Sequence, residues 1–265
     1  MTITSSGPGF VELELDLIPA LRREIQASIP TFDMLPLVFK NASEVPDAQG
    51  VYFLYFRPKL DGSDIPAYIG KTDSKSGLRD RLSRHANKIR GRRNISNQDV
   101  FFRAFRLFVF TVLDIESDLI ESFGGVQKID WNNSGFGSND PGKERDTTKY
   151  KEEHFDTRFP IDLDGHFFDM PNGAMTVADA MQHLKDQLPY LLRFERPNSS
   201  SRKSFHEDFL NSSVSFPAGS SVFDYIAMCI SSLPKGWHAT ALPSHIIVYK
   251  DDSRKFPSGQ LIARS

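Results

Sequence analysis

Residues 50–56, Gly50-Val51-Tyr52-Phe53-Leu54-Tyr55-Phe56, decide the fold. They are rich in β-branched and aromatic side chains, and Tyr52, Leu54 and Phe56 alternate in facing with Val51, Phe53 and Tyr55, as in a strand buried on both sides. A polar loop with Pro, Asp and Gly (58–64) turns the chain into a second short strand, Ala67–Gly70, which predicts an antiparallel hairpin. After a Thr72–Gly77 turn, Leu78, Leu82, Ala86 and Ile89 recur at helical spacing. Asp99–Leu113, packed with Phe, Val and Leu, reads as a central strand. A second helix follows, with Ile115, Leu119, Ile120 and Phe123 on one face and Gly124-Gly125 as its stop. The order strand, strand, helix, strand, helix describes a small α+β domain.

Outward from this nucleus the signals weaken. Phe10–Ile29 reads as an amphipathic helix with an early Pro19, and Trp131–Arg145 (WNNSGFGSNDPGKER) as a Gly/Asn/Asp-rich loop. Beyond about residue 165, Thr176–Leu192 has a helical pattern, and a Ser-rich linker follows at Asn198–Ser204. Phe205–Ser265 then carries a helix near Ser221–Leu233 and a strand near His245–Lys250. We therefore expect a first domain over 1–165 with an N-terminal helical arm, and a mixed α/β extension over 166–265.

Composition excludes several classes. With 39% hydrophobic and 25% charged residues and a formal net charge of −2, the chain has the balance of a soluble globular protein. No apolar run approaches the roughly 18 residues of a membrane span, and residues 1–9 lack the features of a signal peptide. A single cysteine, Cys229, leaves no internal disulfide and fits a cytoplasmic location. The overall charge hides a local excess. Between Lys71 and Arg106 lie eleven Lys/Arg against three Asp, a balance of +8, which can neutralise several phosphates of a polyanion or form a solvated helical face.

The polar residues on these elements are suited to phosphodiester hydrolysis. Tyr52 and Tyr68 lie on the hairpin strands, and Arg81 and His85 are four apart on one helix face. Glu116 opens the second helix, and Asn132 begins the loop after it. A carboxylate can hold a metal that polarises a phosphate, a guanidinium can stabilise charge on phosphoryl oxygens, and a base must reach the attacking water. Each residue also has an ordinary reading: packing for the tyrosines, a surface pair for Arg81 and His85, a helix-dipole partner for Glu116. Competing motifs fail. Gly70-Lys71-Thr72 would end a phosphate-binding loop only with glycine at position 65, where Ile65 stands. Pro46-Asp47 with Asp73-Ser74-Lys75 fits the pattern of another nuclease fold, but Asp73 and Lys75 sit in a turn. The remaining histidines, at 154, 166, 183, 206, 238 and 245, lack zinc-ligand spacing.

Taken together, Gly50-Val51-Tyr52, Tyr68-Ile69-Gly70 with Lys71, the Arg81/His85 pair, the Glu116–Ile120 helix and the following Asn resemble the GIY-YIG nuclease superfamily in order and context. The chain is more similar still to a branch of small Type II restriction endonucleases, through GVYFLYF and the string GFG-x-x-DPGK (135–143). The resemblance covers roughly residues 10–165. It implies a three-stranded antiparallel sheet flanked by helices and one Mg²⁺, with Mn²⁺ as an accepted substitute. It gives Glu116 the metal and Arg81 the phosphate. Tyr52 is implied as general base or water-orienting group, with His85 and Lys71 tuning its phenol, since an unperturbed phenol is a poor base near neutrality. Tyr68 completes the network, and Asn132 or Asn133 supports the metal-side loop.

What the resemblance implies for function is sequence-specific cleavage of double-stranded DNA at a short GC-rich palindrome. It further implies a homodimer on the site and a partner methyltransferase in the host. Arg79, Arg84, Arg90, Arg92, Arg93 and Lys143 are the candidate DNA contacts, an Arg bidentate to guanine being the commonest reader of such sites. The chain departs from the branch in extra residues before Trp131 and in a short hairpin loop. Alternatives are a less specific nuclease of repair or mobile-element type, and a DNA-binding module whose nuclease has decayed.

Overall fold

The architecture comes from a computed structural model that describes residues 2–14, 17–59, 62–72, 77–107, 115–136, 142–171, 173–197 and 204–265, with the backbone alone for 2–7 and 10–14. Two compact units result, Met1–Ala86 with Asn97–Asn133, and Asn87–Ser96 with Ser134–Ser265. The main division thus falls after Asn133, earlier than the boundary at 165 expected from the sequence. Positions 73–76 of the expected turn, the far half of the strand expected to reach Leu113, the middle of GFG-x-x-DPGK and most of the Ser-rich linker lie outside the described residues.

The first unit runs β1 (Thr2–Gly7), β2 (Phe10–Glu14), α1 (Leu17–Ser28), β3 (Leu35–Pro36), α2 (Phe39–Glu44), β4 (Gly50–Phe56), β5 (Ile65–Thr72), α3 (Leu78–Arg90, whose residues from Asn87 on fall in the second unit), β6 (Val100–Arg106), α4 (Ile115–Ser122) and α5 (Asp130–Asn133). The helix expected over Phe10–Ile29 begins only at Leu17. Phe10–Glu14 pairs instead with β1 as an antiparallel hairpin, and Pro19 sits in the first turn of α1, where a missing N–H costs nothing. The sheet has the order β3-β6-β4-β5, with every neighbouring pair antiparallel. It holds four strands and not three, because Leu35 and Pro36 pair with Phe102 and Phe101 as a two-residue edge strand.

Alternation along β4 builds the unit. Val51, Phe53 and Tyr55, with Ile69 of β5, pack against Ile25 of α1 and Ile115, Leu119 and Ile120 of α4. Tyr52 on the opposite face meets α3. Leu78, Leu82, Ala86 and Ile89 of that helix are all buried, so the stripe read from the sequence is a real core stripe. Helix α4 ends where expected. The Gly125 N–H reaches Ile120 O and the Gly124 N–H reaches Glu121 O, with Gly124 at φ 94°, a left-handed closure that glycine adopts without strain.

The second unit contains α6 (Phe155–Arg158), β7 (Met175–Thr176), α7 (Val177–Gln187), β8 (Leu191–Phe194), α8 (Glu207–Asn211), β9 (Ser213–Val214), α9 (Val222–Ser231), β10 (Trp237–Ala241), β11 (His245–Lys250) and β12 (Gln260–Arg264). Its main sheet runs β12-β10-β11-β8, with β8 parallel to β11 and the other pairs antiparallel. A core of Met181, Leu184, Ile226, Ile230, Trp237, Ile246 and Val248, among others, joins α7 and α9 to that sheet. The helix expected over Thr176–Leu192 stops at Gln187. Pro189 disfavours helical geometry in the residue before it, and the chain resumes as β8. Helix α9 opens with a capping box between Ser221 and Asp224, close to its expected start. Among the described residues, no helix is long and apolar enough to cross a membrane.

Candidate functional site

In the first unit, Tyr52, Tyr68, Arg81 and His85 form one cluster. Register explains it. Tyr52 lies directly across from Gly70, and Tyr68, two residues earlier on β5, is its diagonal neighbour on the same face. The two phenol rings are 6.0 Å apart, and Tyr68 meets the His85 ring at 5.5 Å. The Tyr52 hydroxyl is 2.8 Å from His85 Nε2 and accepts a bond from Arg81 Nε at 3.3 Å. Arg81 and His85, one turn apart on α3, thus converge on one oxygen, as their spacing predicts.

Both glycines that flank the hairpin have steric reasons. A Cβ at Gly70 would lie 2.3 Å from the Tyr52 hydroxyl oxygen and 2.8 Å from a Tyr68 ring carbon. A Cβ at Gly50 would meet the Phe105 carbonyl oxygen at 2.0 Å. Gly70 is the floor on which the Tyr52 ring lies.

Burial sets the electrostatics. Desolvation pushes the Tyr52 phenol well above its ordinary value, and nearby Tyr68 adds to this, while Arg81 pulls the other way. The Tyr68 phenol is likewise raised by burial, with Arg81 opposing and Glu116 reinforcing. Both phenols are therefore protonated at neutral pH in the free protein, and Tyr52 is not a ready-made phenolate. With Arg81 donating to its oxygen, the Tyr52 hydroxyl can donate its hydrogen bond to His85 Nε2, in the tautomer that leaves Nε2 as the acceptor.

Lys71 stands differently from its expected role. One residue out of phase with Gly70, it belongs to the other face of β5 and pairs in register with Val51. Its Nζ lies 3.9 Å from a Glu116 oxygen on α4. Arg81 places a cation at the Tyr52 hydroxyl, while Lys71, expected to tune that phenol, stands in a long, partly exposed ion pair with Glu116. Glu116 sits in the first turn of its helix, where the macrodipole favours a carboxylate. Its charge is near enough to act on both phenols.

Asn132, one of the two asparagines expected at the metal-side loop, is bonded through its side chain to β5. Its Oδ1 accepts from the Ile69 N–H at 2.8 Å and its Nδ2 donates to the Ile69 carbonyl at 2.9 Å. The side chain thus pairs like a strand residue with the outer edge of β5, fixing the peptide between Tyr68 and Gly70. It braces the strand that carries Tyr68. Replacing Asn132 by Ala leaves the Ile69 pair without this partner. The expected cost is about 1–3 kcal/mol of stability, read from denaturant unfolding at constant m-value.

The basic candidates divide between the units. Arg79 donates to the Val45 carbonyl and Arg84 pairs with Asp80, both at exposed positions on α3. In the second unit Arg92 is buried against Asp156 at 2.9 Å and donates to the carbonyls of Phe159 and Pro243. Arg92 is therefore a structural residue, removed from the DNA-contact set by its burial. Arg93 is exposed but pairs with Asp162 and Asp164. The Arg90 guanidinium lies 5.9 Å from the Phe167 ring centre, and exposed Lys143 lies over Tyr249.

Chemically, the first-unit cluster offers a guanidinium, an imidazole and two phenols, with the Glu116 charge acting on both phenols. No group of three or more His, Cys, Asp or Glu able to hold a metal occurs among the described residues. One carboxylate suits magnesium, which keeps most of its water and is commonly bound through one or two carboxylates plus substrate phosphate. Comparison with known proteins adds no further argument: no family model matches the chain, and no curated protein matches it.

Proposed function

We propose that the first unit is a GIY-YIG-type nuclease domain, and that the chain is a metal-dependent, sequence-specific endonuclease of double-stranded DNA. The observation that carries this reading is the convergence of Arg81 Nε and His85 Nε2 on the Tyr52 hydroxyl, with Glu116 near enough to influence that phenol. A hydroxyl clamped between a fixed cation and an imidazole is an unusual use of a buried tyrosine, and phosphodiester hydrolysis makes use of each part. Glu116 would hold Mg²⁺, or Mn²⁺ in its place, and the bound ion would supply positive charge for the scissile phosphate and the leaving oxygen. Arg81 neutralises charge gathering on the phosphoryl oxygens. Tyr52 orients the attacking water and takes its proton as His85 relieves the phenol of its own. Tyr68 hydrogen-bonds within the same network.

The restriction-enzyme form of this reading adds a short GC-rich palindrome as target, a homodimer on it and a methyltransferase that protects the host. Sequencing the ends of a plasmid digest tests it. One recurrent short motif at the cut sites is expected, and scattered ends favour a repair or mobile-element nuclease of the same fold. Tight DNA binding without cleavage in Mg²⁺ or Mn²⁺ favours a decayed, DNA-binding module. Arg81→Ala is expected to slow turnover by roughly 10²-fold or more, the scale of losing one electrostatic stabiliser. Single-turnover cleavage rates check this, and a near-normal rate removes Arg81 from the phosphate.

A further inference from the structure

The second unit contains a buried polar hub that the hydrolytic site does not use. Asp146, fully buried, accepts bonds from Arg193 Nη1 at 2.8 Å on both oxygens, from His245 Nε2 at 2.9 Å and from the Tyr249 hydroxyl at 2.9 Å. His245 Nδ1 meets Ser244 Oγ at 2.8 Å, and Ser244 Oγ meets the Tyr150 hydroxyl at 3.1 Å. The Tyr150 N–H donates to Ser258 Oγ. The Ser244–His245–Asp146 order has the form of a nucleophile relay. Asp146, however, also accepts from the Arg193 guanidinium and the Tyr249 hydroxyl, so it is shared among three donors and not dedicated to the imidazole.

The hub acts on what lies outside it. Asp146 belongs to a single 3-10 turn, Lys143–Thr147, whose other residues are exposed. Tyr249, oriented by Asp146 through its hydroxyl, carries two exposed cations over its ring, Lys143 at 5.6 Å and Arg254 at 5.1 Å from the centroid. Arg254 also lies over Phe256 and is held by Asp252. A buried ion pair contributes little net stability compared with apolar packing, so its effect here is positional. It fixes both the backbone beneath Lys143 and the ring beneath the two cations. Cations interleaved with aromatic rings on a rigid base match the repeated charge of a phosphodiester backbone.

We infer that Lys143 and Arg254 form a contact surface on the second unit for the phosphate backbone of duplex DNA, with Asp146 as its positioning residue. This rests on the nuclease reading for the identity of the polyanion. The test is binding of a mixed-sequence DNA duplex in EDTA, followed by fluorescence anisotropy across a salt series. The proteins compared are wild type, Lys143→Ala/Arg254→Ala, Asp146→Asn and the triple variant. The surface double variant is expected to bind about tenfold more weakly, with the slope of log K against log salt reduced by about two. Asp146→Asn is expected to weaken binding on its own but to add little to the double variant, while its shift in thermal unfolding is the same in both backgrounds. A merely structural Asp146 would instead give additive losses in binding. Unchanged affinity and slope in Lys143→Ala/Arg254→Ala overturn the inference and leave the nuclease reading standing. No DNA binding by the wild-type chain overturns both.

Discussion

Glu116→Gln is expected to abolish Mg²⁺-dependent DNA cleavage while leaving DNA binding within a few-fold of wild type. The substitution keeps the size of the side chain and its place in the first turn of α4, so Ile115, Leu119 and Ile120 stay packed. It removes the negative charge that a hard divalent cation requires from its protein ligand. Losing the cation removes several kcal/mol of stabilisation at the phosphate, on the order of 10³-fold or more in rate. The long Lys71 pair is lost as well, but a partly exposed ion pair contributes about 1 kcal/mol at most, too little to confuse the result. Gel-based cleavage in parallel with anisotropy checks both halves. Retained Mg²⁺-dependent cutting would remove Glu116 from the metal.

The second large effect is expected from a single methyl group. Gly70→Ala places a carbon 2.3 Å from the Tyr52 hydroxyl oxygen and 2.4 Å from the ring carbon that bears it. Neither atom is the end of a flexible chain, because the ring is buried and its oxygen is tied to His85 and Arg81. Either β5 moves away from β4 or the ring leaves its place, and both routes break the convergence on the hydroxyl. Overpacking of this kind costs about 1–3 kcal/mol, which lowers the melting temperature without unfolding the domain at room temperature. Cleavage is expected to fall by roughly 10²-fold or more, because an ångström-scale misplacement of reacting groups costs that much. Circular dichroism melting with single-turnover rates separates the two effects. A variant with normal cleavage would show that the Tyr52 position is not required.

These two predictions differ in how visible they are in the sequence. Glu116, Arg81 and His85 can be read from helical spacing, because a face shared at four-residue intervals survives any detail of packing. The role of Gly70 cannot, since it depends on the register that sets Tyr52 directly opposite. Lys71 is the converse case. Adjacent in sequence to Tyr68-Ile69-Gly70, it invites a role at the phenol, yet the period of two in a strand sends it to the other face.

The same logic covers the rest of the chain. The hairpin β4–β5, the stripe of α3 and the Gly124-Gly125 stop were legible because local chemistry decides them. The β1–β2 hairpin was not, because Phe10–Glu14 alternates over only a few residues and runs into a helix with its own apolar spacing. Arg92 looked like one member of a basic run, and its burial depends on Asp156, far along the chain. The Asp146 hub joins residues 47 to 103 positions apart with no motif among them. Only the fold brings them together.

The central claim is that the cluster around Tyr52 hydrolyses DNA with the help of a bound divalent cation. Incubating the purified chain with supercoiled plasmid, with Mg²⁺ and separately with EDTA, tests this most directly. The account predicts discrete linear fragments with Mg²⁺ and intact plasmid in EDTA. A folded, DNA-bound chain that leaves the plasmid uncut in both Mg²⁺ and Mn²⁺ would contradict it.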